Sequence, residues 1–285
     1  MHFPRLPDWL IYAAIVVALV IAALGRREAA DAPEAPPPPS AEEGELLAPA
    51  SAFDPSTGLK VSQGPFHPMG GTAFSVADGG VWITARHVVA GCRRIALMQT
   101  QDLAVEASLA PGAGAASDVA VLLTKGGAPA LPLAPVADLH LGERGFHPGY
   151  PQGRAGEITS RLIGRQTLVL RKAAPGHLAA GKVEPVLAWA EAGRTDSLRG
   201  DLAGLSGAPA LDVHGAVVGV TLAEAPRRGR VYTTSPEAVR QALARAHASP
   251  NAPTPAQPVT VENYGRVADT LRRNLSVAQV VCRDS

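Results

Sequence analysis

The chain has 285 residues, of which 46% are hydrophobic, and its 26 basic and 25 acidic side chains leave a formal net charge of +1. This near-neutral balance argues against a nucleic-acid-binding protein, which normally carries a surplus of positive charge. The two cysteines exclude a disulfide-rich scaffold and a multi-cysteine zinc site. Because HExxH, GxxxxGK[ST] and strand-linked GxGxxG motifs are all absent from the sequence, neither a metal nor another cofactor is expected.

The first element is an apolar run over 9–25 that follows a short flank at 1–8 and has Arg26 and Arg27 after it. An uncharged run of this length is at the short end of the roughly 17–25 residues that a membrane-spanning helix needs. It predicts a signal-anchor in a membrane. The alternative is a signal peptide that is cleaved after the small residues near Gly25.

The next segment, 26–60, is rich in proline, alanine and glutamate and has no apolar periodicity. Such a composition cannot bury enough apolar surface to offset the loss of chain entropy on folding. The sequence therefore predicts a disordered linker here, which serves as a spacer.

The globular unit is predicted over 61–248, and its texture is that of an all-β protein. Short apolar runs alternate with glycine and proline, and 29 Gly and 26 Pro in the chain supply the turns. This pattern favours barrels or a sandwich. The predicted strands are 72–77, 80–85, 93–99, 103–110, 118–124, 157–171, 183–192, 208–213 and 216–224.

Two helices are predicted after the strands. The first covers 236–246, with Ser235 as its N-cap and Pro236 at its first helical position. After a proline-rich break, the pattern predicts a second helix over 262–281. The segment 249–285 is therefore expected to be a linker followed by a helical tail.

Three short motifs carry residue types that belong to one kind of chemistry. They are 84–87 (TARH) at a strand end, 117–122 (SDVAVL) at a strand start, and 204–211 (GLSGAPAL) in a glycine-flanked turn. A serine hydroxyl needs a neighbouring base to become a nucleophile, and imidazole suits that task near neutral pH. A carboxylate orients the imidazole, and a tight glycine turn can present two backbone N–H groups to an oxyanion.

In this order, the motifs resemble those of trypsin-like (chymotrypsin-fold) serine peptidases, with the bacterial Deg/HtrA-type branch as the best match. A fourth motif, 149–153 (GYPQG), resembles the turn that opens the second barrel of that family. The resemblance covers about 68–240. It implies that Ser206 is the nucleophile, His87 the general base and acid, and Asp118 the orienting carboxylate. The N–H groups of Gly204 and Ser206 are the expected oxyanion-hole donors.

The resemblance also implies a fold and a substrate pocket. The fold is two antiparallel β-barrels, at about 61–140 and 141–235, with the active site between them. The residues expected to line the pocket are Gly200, Asp201, Thr221, Leu222 and Ala223. If Asp201 points inward, cleavage after arginine or lysine is expected, because a buried carboxylate requires a cationic partner.

Two departures from the family pattern carry expectations of their own. Leu205 stands where the digestive enzymes have an aspartate that pairs with a freed N-terminus, so activation by that route is not implied. The residues after Ala248 are too few for a PDZ-like domain, so none is expected.

The sequence therefore predicts a serine endopeptidase that acts on proteins or peptides. The alternative is a catalytically silent pseudopeptidase whose cleft binds a peptide or a partner. An α/β-hydrolase esterase is disfavoured, because that fold needs G-x-S-x-G and the order serine, acid, histidine. The sequence gives no indication of the oligomeric state.

Cys92 and Cys282 are expected to form a disulfide, with two unrelated thiols as the alternative. The bridge would hold the C-terminal segment against the first barrel, near His87. Because a lasting disulfide needs an oxidising compartment, the peptidase domain is expected in the periplasm of a bacterium. It would be held at the inner membrane by 9–25, or released if that segment is cleaved.

Overall fold

The computed structural model describes residues 8–25, 45–51, 54–61, 70–112, 117–135, 139–174, 177–178, 182–225, 228–251 and 256–283. The described chain is mostly β-sheet. Its strands are β1 (Ser56–Val61), β2 (Gly71–Ala77), β3 (Val81–Ala85), β4 (Arg94–Met98), β5 (Ala104–Leu109), β6 (Val119–Thr124), β7 (Arg144–Gly149), β8 (Gly156–Ala174), β9 (His177–Leu178), β10 (Lys182–Arg194), β11 (Pro209–Leu211), β12 (Val217–Ala225), β13 (Arg230–Thr233) and β14 (Val277–Arg283). Its helices are α1 (Asp8–Gly25), α2 (Arg86–Val89), α3 (Pro236–Arg245) and α4 (Tyr264–Arg273).

The first barrel is a closed ring of six antiparallel strands in the order β14, β2, β3, β6, β5 and β4. Every residue of β2 is buried, because other parts of the protein pack against both faces of this strand. Ala73 packs inside the first barrel, whereas Phe74 and Val76 join an apolar cluster that is shared with the second barrel. This shared cluster holds the two barrels together.

The second barrel closes through strands β7, β8, β10, β13, β12 and β11, since β7 pairs with both β8 and β11. Its interior is filled by large side chains such as Ile158, Leu162 and Trp189. The two predicted antiparallel barrels are thus confirmed. Strands β8 and β10 extend into a long hairpin, to which β1 adds as a parallel strand.

Strand β14 corrects the predicted C-terminal tail. The helix expected over 262–281 ends at Arg273, and the chain then forms a strand that pairs with both β2 and β4. The first barrel is therefore not complete within 61–140. The physical reason is that a five-stranded sheet would leave two open edges, and the valine-rich stretch 277–283 supplies the missing backbone partners.

Part of the predicted linker also differs from expectation. Leu47 donates its N–H to the Leu139 carbonyl oxygen at 2.7 Å, and β1 runs along the edge of β8. Backbone hydrogen bonds to an open sheet edge hold these residues in place. Such pairing needs no apolar periodicity in the paired segment, so the composition alone predicted disorder. The remaining linker residues, 26–44 and 52–53, lie outside the described residues.

The segment for which a signal-anchor or signal peptide is predicted forms helix α1. Within the part of the chain that the structure describes, no helix meets the length and apolarity required to cross a membrane.

Helix α3 confirms the prediction for 236–246. Its N-cap Ser235 accepts a hydrogen bond from the Ala238 N–H at 3.4 Å, and Pro236 occupies the first helical position. The buried face of α3 carries Val239 and Leu243, which pack into the cluster between the barrels. The helix thereby covers the seam on which the candidate site depends.

Candidate active site

His87 and Asp118 come together because β3 and β6 are neighbours. His87 lies in α2, directly after β3, and Asp118 directly precedes β6; these strands pair antiparallel, with Ala85 opposite Val119. The end of one strand therefore lies beside the start of the other. The Arg86 N–H also donates to the Asp118 carbonyl oxygen at 2.9 Å, which fixes the two segments locally.

The Asp118 carboxylate holds His87 at two points. Oδ1 accepts the His87 backbone N–H at 3.0 Å, and Oδ2 lies 2.6 Å from Nδ1 of the imidazole. The side chain of Asp118 is 7% exposed and that of His87 is 19% exposed. An ionised carboxylate at Nδ1 favours the tautomer whose proton is on that nitrogen, which leaves the Nε2 lone pair available as a base.

Glu184 supports this pair from the second barrel. It is buried on β10, and both of its carboxylate oxygens lie 2.9 Å from the Asp118 backbone N–H, which they accept. The contact fixes the start of β6, and hence the backbone that carries Asp118. Glu184 was not among the predicted site residues, because its only signal in the sequence is an acid within the largely apolar predicted strand 183–192.

Ser206 lies in a turn between the barrels. Its carbonyl oxygen accepts the Thr72 N–H at 2.9 Å, and the Thr72 hydroxyl donates to the Gly204 carbonyl oxygen at 2.9 Å. A Cβ placed on Gly71 would lie 2.9 Å from the Ser206 carbonyl oxygen and 2.6 Å from the Val88 side chain. The Ser206 turn and helix α2, which carries His87, therefore flank β2 at the same point.

The Ser206 hydroxyl itself donates to the Leu222 carbonyl oxygen at 3.2 Å. Among the hydrogen bonds of the described residues, none joins Ser206 Oγ to His87. The structure thus brings His87 and Asp118 into contact and places the Ser206 turn beside them.

The turn around Ser206 requires its two glycines. Gly204 has φ +96°, and a Cβ there would lie 2.5 Å from the Tyr150 carbonyl oxygen. Gly207 has φ +90°, and a Cβ there would lie 2.0 Å from the Thr72 carbonyl oxygen. Within the described residues, the N–H groups of Gly204 and Ser206 donate no hydrogen bond to protein atoms, so both are available to an external oxygen atom.

The predicted pocket residues lie in two segments, but they do not all face one space. Gly200 and Asp201 are exposed, and Asp201 Oδ1 accepts the Ala203 N–H at 3.3 Å. Thr221 is buried, and its hydroxyl lies 3.1 Å from Nδ1 of His147 inside the second barrel. Leu222 is buried and turns its carbonyl oxygen towards Ser206, whereas Ala223 is half-buried.

Glu224 is a second charged residue that the sequence analysis missed. Its Oε1 accepts the Leu202 N–H at 2.5 Å, so its carboxyl group connects β12 to the segment that precedes Ser206. Burial is the main cause that raises the pKa of Glu224 to about 7, and the nearby Asp201 carboxylate raises it further. Its signal in the sequence was an acid two residues beyond Leu222.

His147 forms another histidine–serine contact, with different surroundings. Its Nε2 lies 2.7 Å from Ser160 Oγ, and its ring meets Trp189 edge-on. Both His147 and Ser160 are buried, and burial lowers the pKa of His147 to about 3. Among the described residues no carboxylate contacts this buried pair, and a substrate cannot reach it, so the pair has a structural role.

Cys92 and Cys282 form the predicted disulfide, with their Cα atoms 5.3 Å apart. Cys92 follows helix α2, and Cys282 lies in β14. The bridge is confirmed, although it holds a barrel strand rather than the expected helix. Among the described residues, no group of three His, Cys, Asp or Glu side chains is placed to hold a metal ion.

Comparisons with known proteins give a family match and several likenesses of fold. A family model described as "Trypsin-like peptidase domain" matches residues 71–220. The search of curated proteins finds no match.

Among solved structures, the chain is similar to the active form of the Rv3671c protease from M. tuberculosis. The two are 18% identical with a TM-score of 0.48, over 76% of this chain and 98% of that chain. An inactive form of the Rv3671c protease is 22% identical with a TM-score of 0.47, over 62% of this chain and 84% of that chain. The HtrA-type protease AlgW with a decapeptide is 19% identical with a TM-score of 0.45, over 62% of this chain and 50% of that chain.

Proposed function

The chain belongs to the trypsin-like peptidase family and is a serine endopeptidase, and we propose that Ser206, His87 and Asp118 carry out its reaction through an acyl-enzyme. The substrate is a protein or a peptide. The observation that supports this assignment best is the 2.6 Å contact between His87 Nδ1 and a buried Asp118 oxygen, next to the Ser206 turn.

In the proposed reaction, Ser206 Oγ turns from the Leu222 carbonyl towards His87 and gives its proton to Nε2 as it attacks the peptide carbonyl carbon. A serine side chain has three staggered positions, so this change needs rotation about one bond. His87 then passes the proton to the leaving amine, and the C–N bond breaks. The ester formed on Ser206 is hydrolysed by a water molecule that His87 deprotonates in turn.

The oxyanion that forms on the substrate carbonyl oxygen is stabilised by the N–H groups of Gly204 and Ser206. Both N–H groups lack protein acceptors among the described residues, so no internal hydrogen bond has to break first. Losing one such donor typically lowers the rate by about 10²- to 10³-fold. The Asp118 carboxylate at Nδ1 stabilises the imidazolium.

The first prediction tests Ser206 as the nucleophile. The full-length protein is treated with a fluorophosphonate probe, and Ser206→Ala is expected to lose both labelling and the cleavage of denatured casein. Ser160→Ala is the matched control, because Ser160 also contacts a histidine but is buried inside the second barrel. That variant is expected to be labelled.

The unfolding temperature of Ser206→Ala should stay close to that of the unmodified chain, because the hydroxyl makes one hydrogen bond at 3.2 Å. Continued turnover by Ser206→Ala would refute the assignment. If the unmodified chain folds but is not labelled, the barrel cleft instead belongs to a pseudopeptidase that binds a peptide or a partner.

We propose that the peptidase domain works in the periplasm of a bacterium, exported through the apolar segment 9–25. The disulfide supports this placement, since such bonds persist in oxidising compartments. The test is mass spectrometry of protein whose thiols are blocked at cell lysis. The bridged peptide pair is expected, and alkylation of both Cys92 and Cys282 without prior reduction would contradict the placement.

A further inference from the structure

Glu184 is an acidic residue on the side of β10 that meets the shared cluster between the barrels. Val186 and Ala188 of this strand belong to that cluster, whereas Leu187 fills the interior of the second barrel. Because side chains alternate between the two faces of a strand, Glu184 lies on the same face as Val186 and Ala188. It is 1% exposed. A carboxyl group among apolar side chains is unfavourable unless it is hydrogen-bonded, so its partner carries information about its role.

That partner belongs to the first barrel. Asp118 directly precedes β6, whose residues Val119 and Val121 pack in the same shared cluster. The Asp118 backbone N–H donates to both carboxylate oxygens of Glu184, which lie 2.9 Å from the nitrogen atom. A buried backbone N–H group requires an acceptor, and here a side chain of the other barrel supplies it.

A second hydrogen bond holds Asp118 on the other side of its Cα atom. The Asp118 carbonyl oxygen accepts the Arg86 N–H at 2.9 Å, and this contact lies within the first barrel. The N–H and carbonyl groups flank the Cα atom, so the two directional bonds together fix the course of the backbone there. They therefore fix the direction in which the Asp118 side chain leaves the backbone. Without Glu184, the backbone of Asp118 would be held from one side.

The direction of the Asp118 side chain decides its contact with the imidazole of His87. Asp118 Oδ2 lies 2.6 Å from His87 Nδ1, and Oδ1 accepts the His87 backbone N–H at 3.0 Å. Hydrogen bonds weaken steeply with distance and angle, so a shift of the Asp118 backbone would weaken the contact that keeps the proton on Nδ1. Since the second barrel also carries Ser206, Glu184 connects the His87–Asp118 pair to the barrel that supplies the nucleophile.

We propose that Glu184 is a positioning residue that accepts the Asp118 N–H from the second barrel and thereby keeps the Asp118 carboxylate aligned with His87 Nδ1. This inference rests on the proposed function of His87, Asp118 and Ser206. Glu184 is buried and acts through Asp118 rather than on the substrate. Because the orientation of the imidazole matters most in the transition state, loss of this contact should lower kcat and leave KM nearly unchanged.

Three replacements of Glu184 separate the reach of its side chain from its charge. Glu184→Gln keeps the length of the side chain and one oxygen acceptor but cannot carry a charge. Glu184→Asp keeps the carboxyl group but withdraws it by one methylene. Glu184→Leu removes the acceptor and keeps an apolar side chain in its place. If the hydrogen bond to the Asp118 N–H is decisive, Glu184→Gln should retain the function that the other two variants lose.

The first measurement is the cleavage of an internally quenched peptide, taken from a casein site that the unmodified chain cuts. In Glu184→Leu, kcat is expected to fall by about 10- to 100-fold, since a displacement of about 1 Å at the reacting groups can lower a rate by about 10²-fold. KM should stay within about twofold. Glu184→Asp should lose kcat in the same way but less, and Glu184→Gln should stay within about threefold of the unmodified chain.

Thr233→Val is the matched control for a structural effect alone. It removes the acceptor of another buried N–H in the second barrel, because the Thr233 hydroxyl accepts the indole N–H of Trp189 at 2.9 Å. This variant should unfold at a lower urea concentration than the unmodified chain, as Glu184→Leu should. Its kcat should not change, because neither Thr233 nor Trp189 contacts Asp118 or His87 in the described hydrogen bonds.

The second measurement reads the His87 ring directly and needs no turnover. At pH 9, where an imidazole is normally neutral, ¹⁵N NMR shifts of histidine report which ring nitrogen carries the proton. In Ser206→Ala, the Nδ1–H tautomer of His87 is expected, and the loss of its signals in His87→Gln identifies them. Adding Glu184→Leu should increase the fraction of the Nε2–H tautomer, whereas adding Glu184→Gln or Thr233→Val should not.

The outcomes distinguish a failure of this proposal from a failure of the proposed function. An unchanged kcat and tautomer in Glu184→Leu overturns the role of Glu184, and so does an equal loss in Glu184→Gln and Glu184→Leu. If Glu184→Leu does not fold, the comparison of Glu184→Gln with Glu184→Asp decides, and a loss confined to Glu184→Gln overturns the proposal. If Ser206→Ala still cleaves the peptide, the assignment of the nucleophile fails, while the His87 tautomer still tests Glu184.

Discussion

His87 and His147 each contact an oxygen atom of a neighbouring side chain, but their surroundings differ. His87 is partly exposed at the edge of the first barrel and contacts the carboxylate of Asp118. His147 is fully buried and contacts the hydroxyl groups of Ser160 and Thr221. Because a neutral hydroxyl cannot compensate a buried positive charge, His147 stays neutral and serves the packing of the second barrel.

We therefore predict a pH dependence of stability that depends on His147. Its pKa is 6.5 in the unfolded reference and about 3 in the folded protein, so only the unfolded chain takes up a proton between these values. The contribution is fully present above pH 6.5 and is lost as the pH falls towards 3, at up to about 1.4 kcal/mol per pH unit.

Urea unfolding of the unmodified chain and of His147→Gln at pH 7, 5.5 and 4.5 measures this contribution. The free energy of unfolding should fall less steeply in His147→Gln, because glutamine does not titrate. His214→Gln, at an exposed position, is the matched control and should keep the steep dependence. Equal slopes in all three proteins would count against the prediction.

At the scale of strands and helices, local patterns in the sequence predicted most elements within one or two residues. The apolar run at 118–124 corresponds to β6 (Val119–Thr124), and the run at 72–77 corresponds to β2. Helix α3 was predicted with its cap, since its signals lie within a few residues of one another. These elements are indicated by short apolar runs and cap residues within their own segments.

Two of the elements that were not predicted, β1 and β14, depend on distant partners. Strand β14 forms because β2 and β4 need a neighbour, and β1 forms because the edge of β8 is open. The same reason applies to the candidate site. His87, Asp118 and Ser206 occur in motifs, whereas Glu184 and Glu224 gain their significance only when β10 and β12 are folded. No local pattern records these contacts.

On the scale of the whole molecule, the last strand of the described chain belongs to the first barrel, although the strands of the second barrel precede it in the sequence. Helix α4 links the two barrels, because the buried Arg272 donates to Glu157 Oε2 at 2.8 Å and to the Gly156 carbonyl oxygen at 3.2 Å. Strand β14 then closes the first barrel. The fold of the barrel that carries His87 therefore depends on the last residues of the described chain.

The disulfide secures this closure, and its removal should destabilise the whole molecule. It joins residues 190 positions apart, so in the unfolded chain it restricts a very long loop. Bonds of this kind typically stabilise by about 2–5 kcal/mol. The double variant Cys92→Ser/Cys282→Ser is expected to have a free energy of unfolding that is lower by this amount, as measured by urea titration.

Reduction provides the matched control for this last prediction. In dithiothreitol, the unmodified chain should unfold at the same urea concentration as the double variant, because both then lack the bridge. The loss should appear at pH 7, where His147 is neutral in the folded protein and mostly neutral in the unfolded chain. If the oxidised and reduced proteins unfold at the same midpoint, the pairing of β14 with β2 and β4 closes the barrel without help from the bridge.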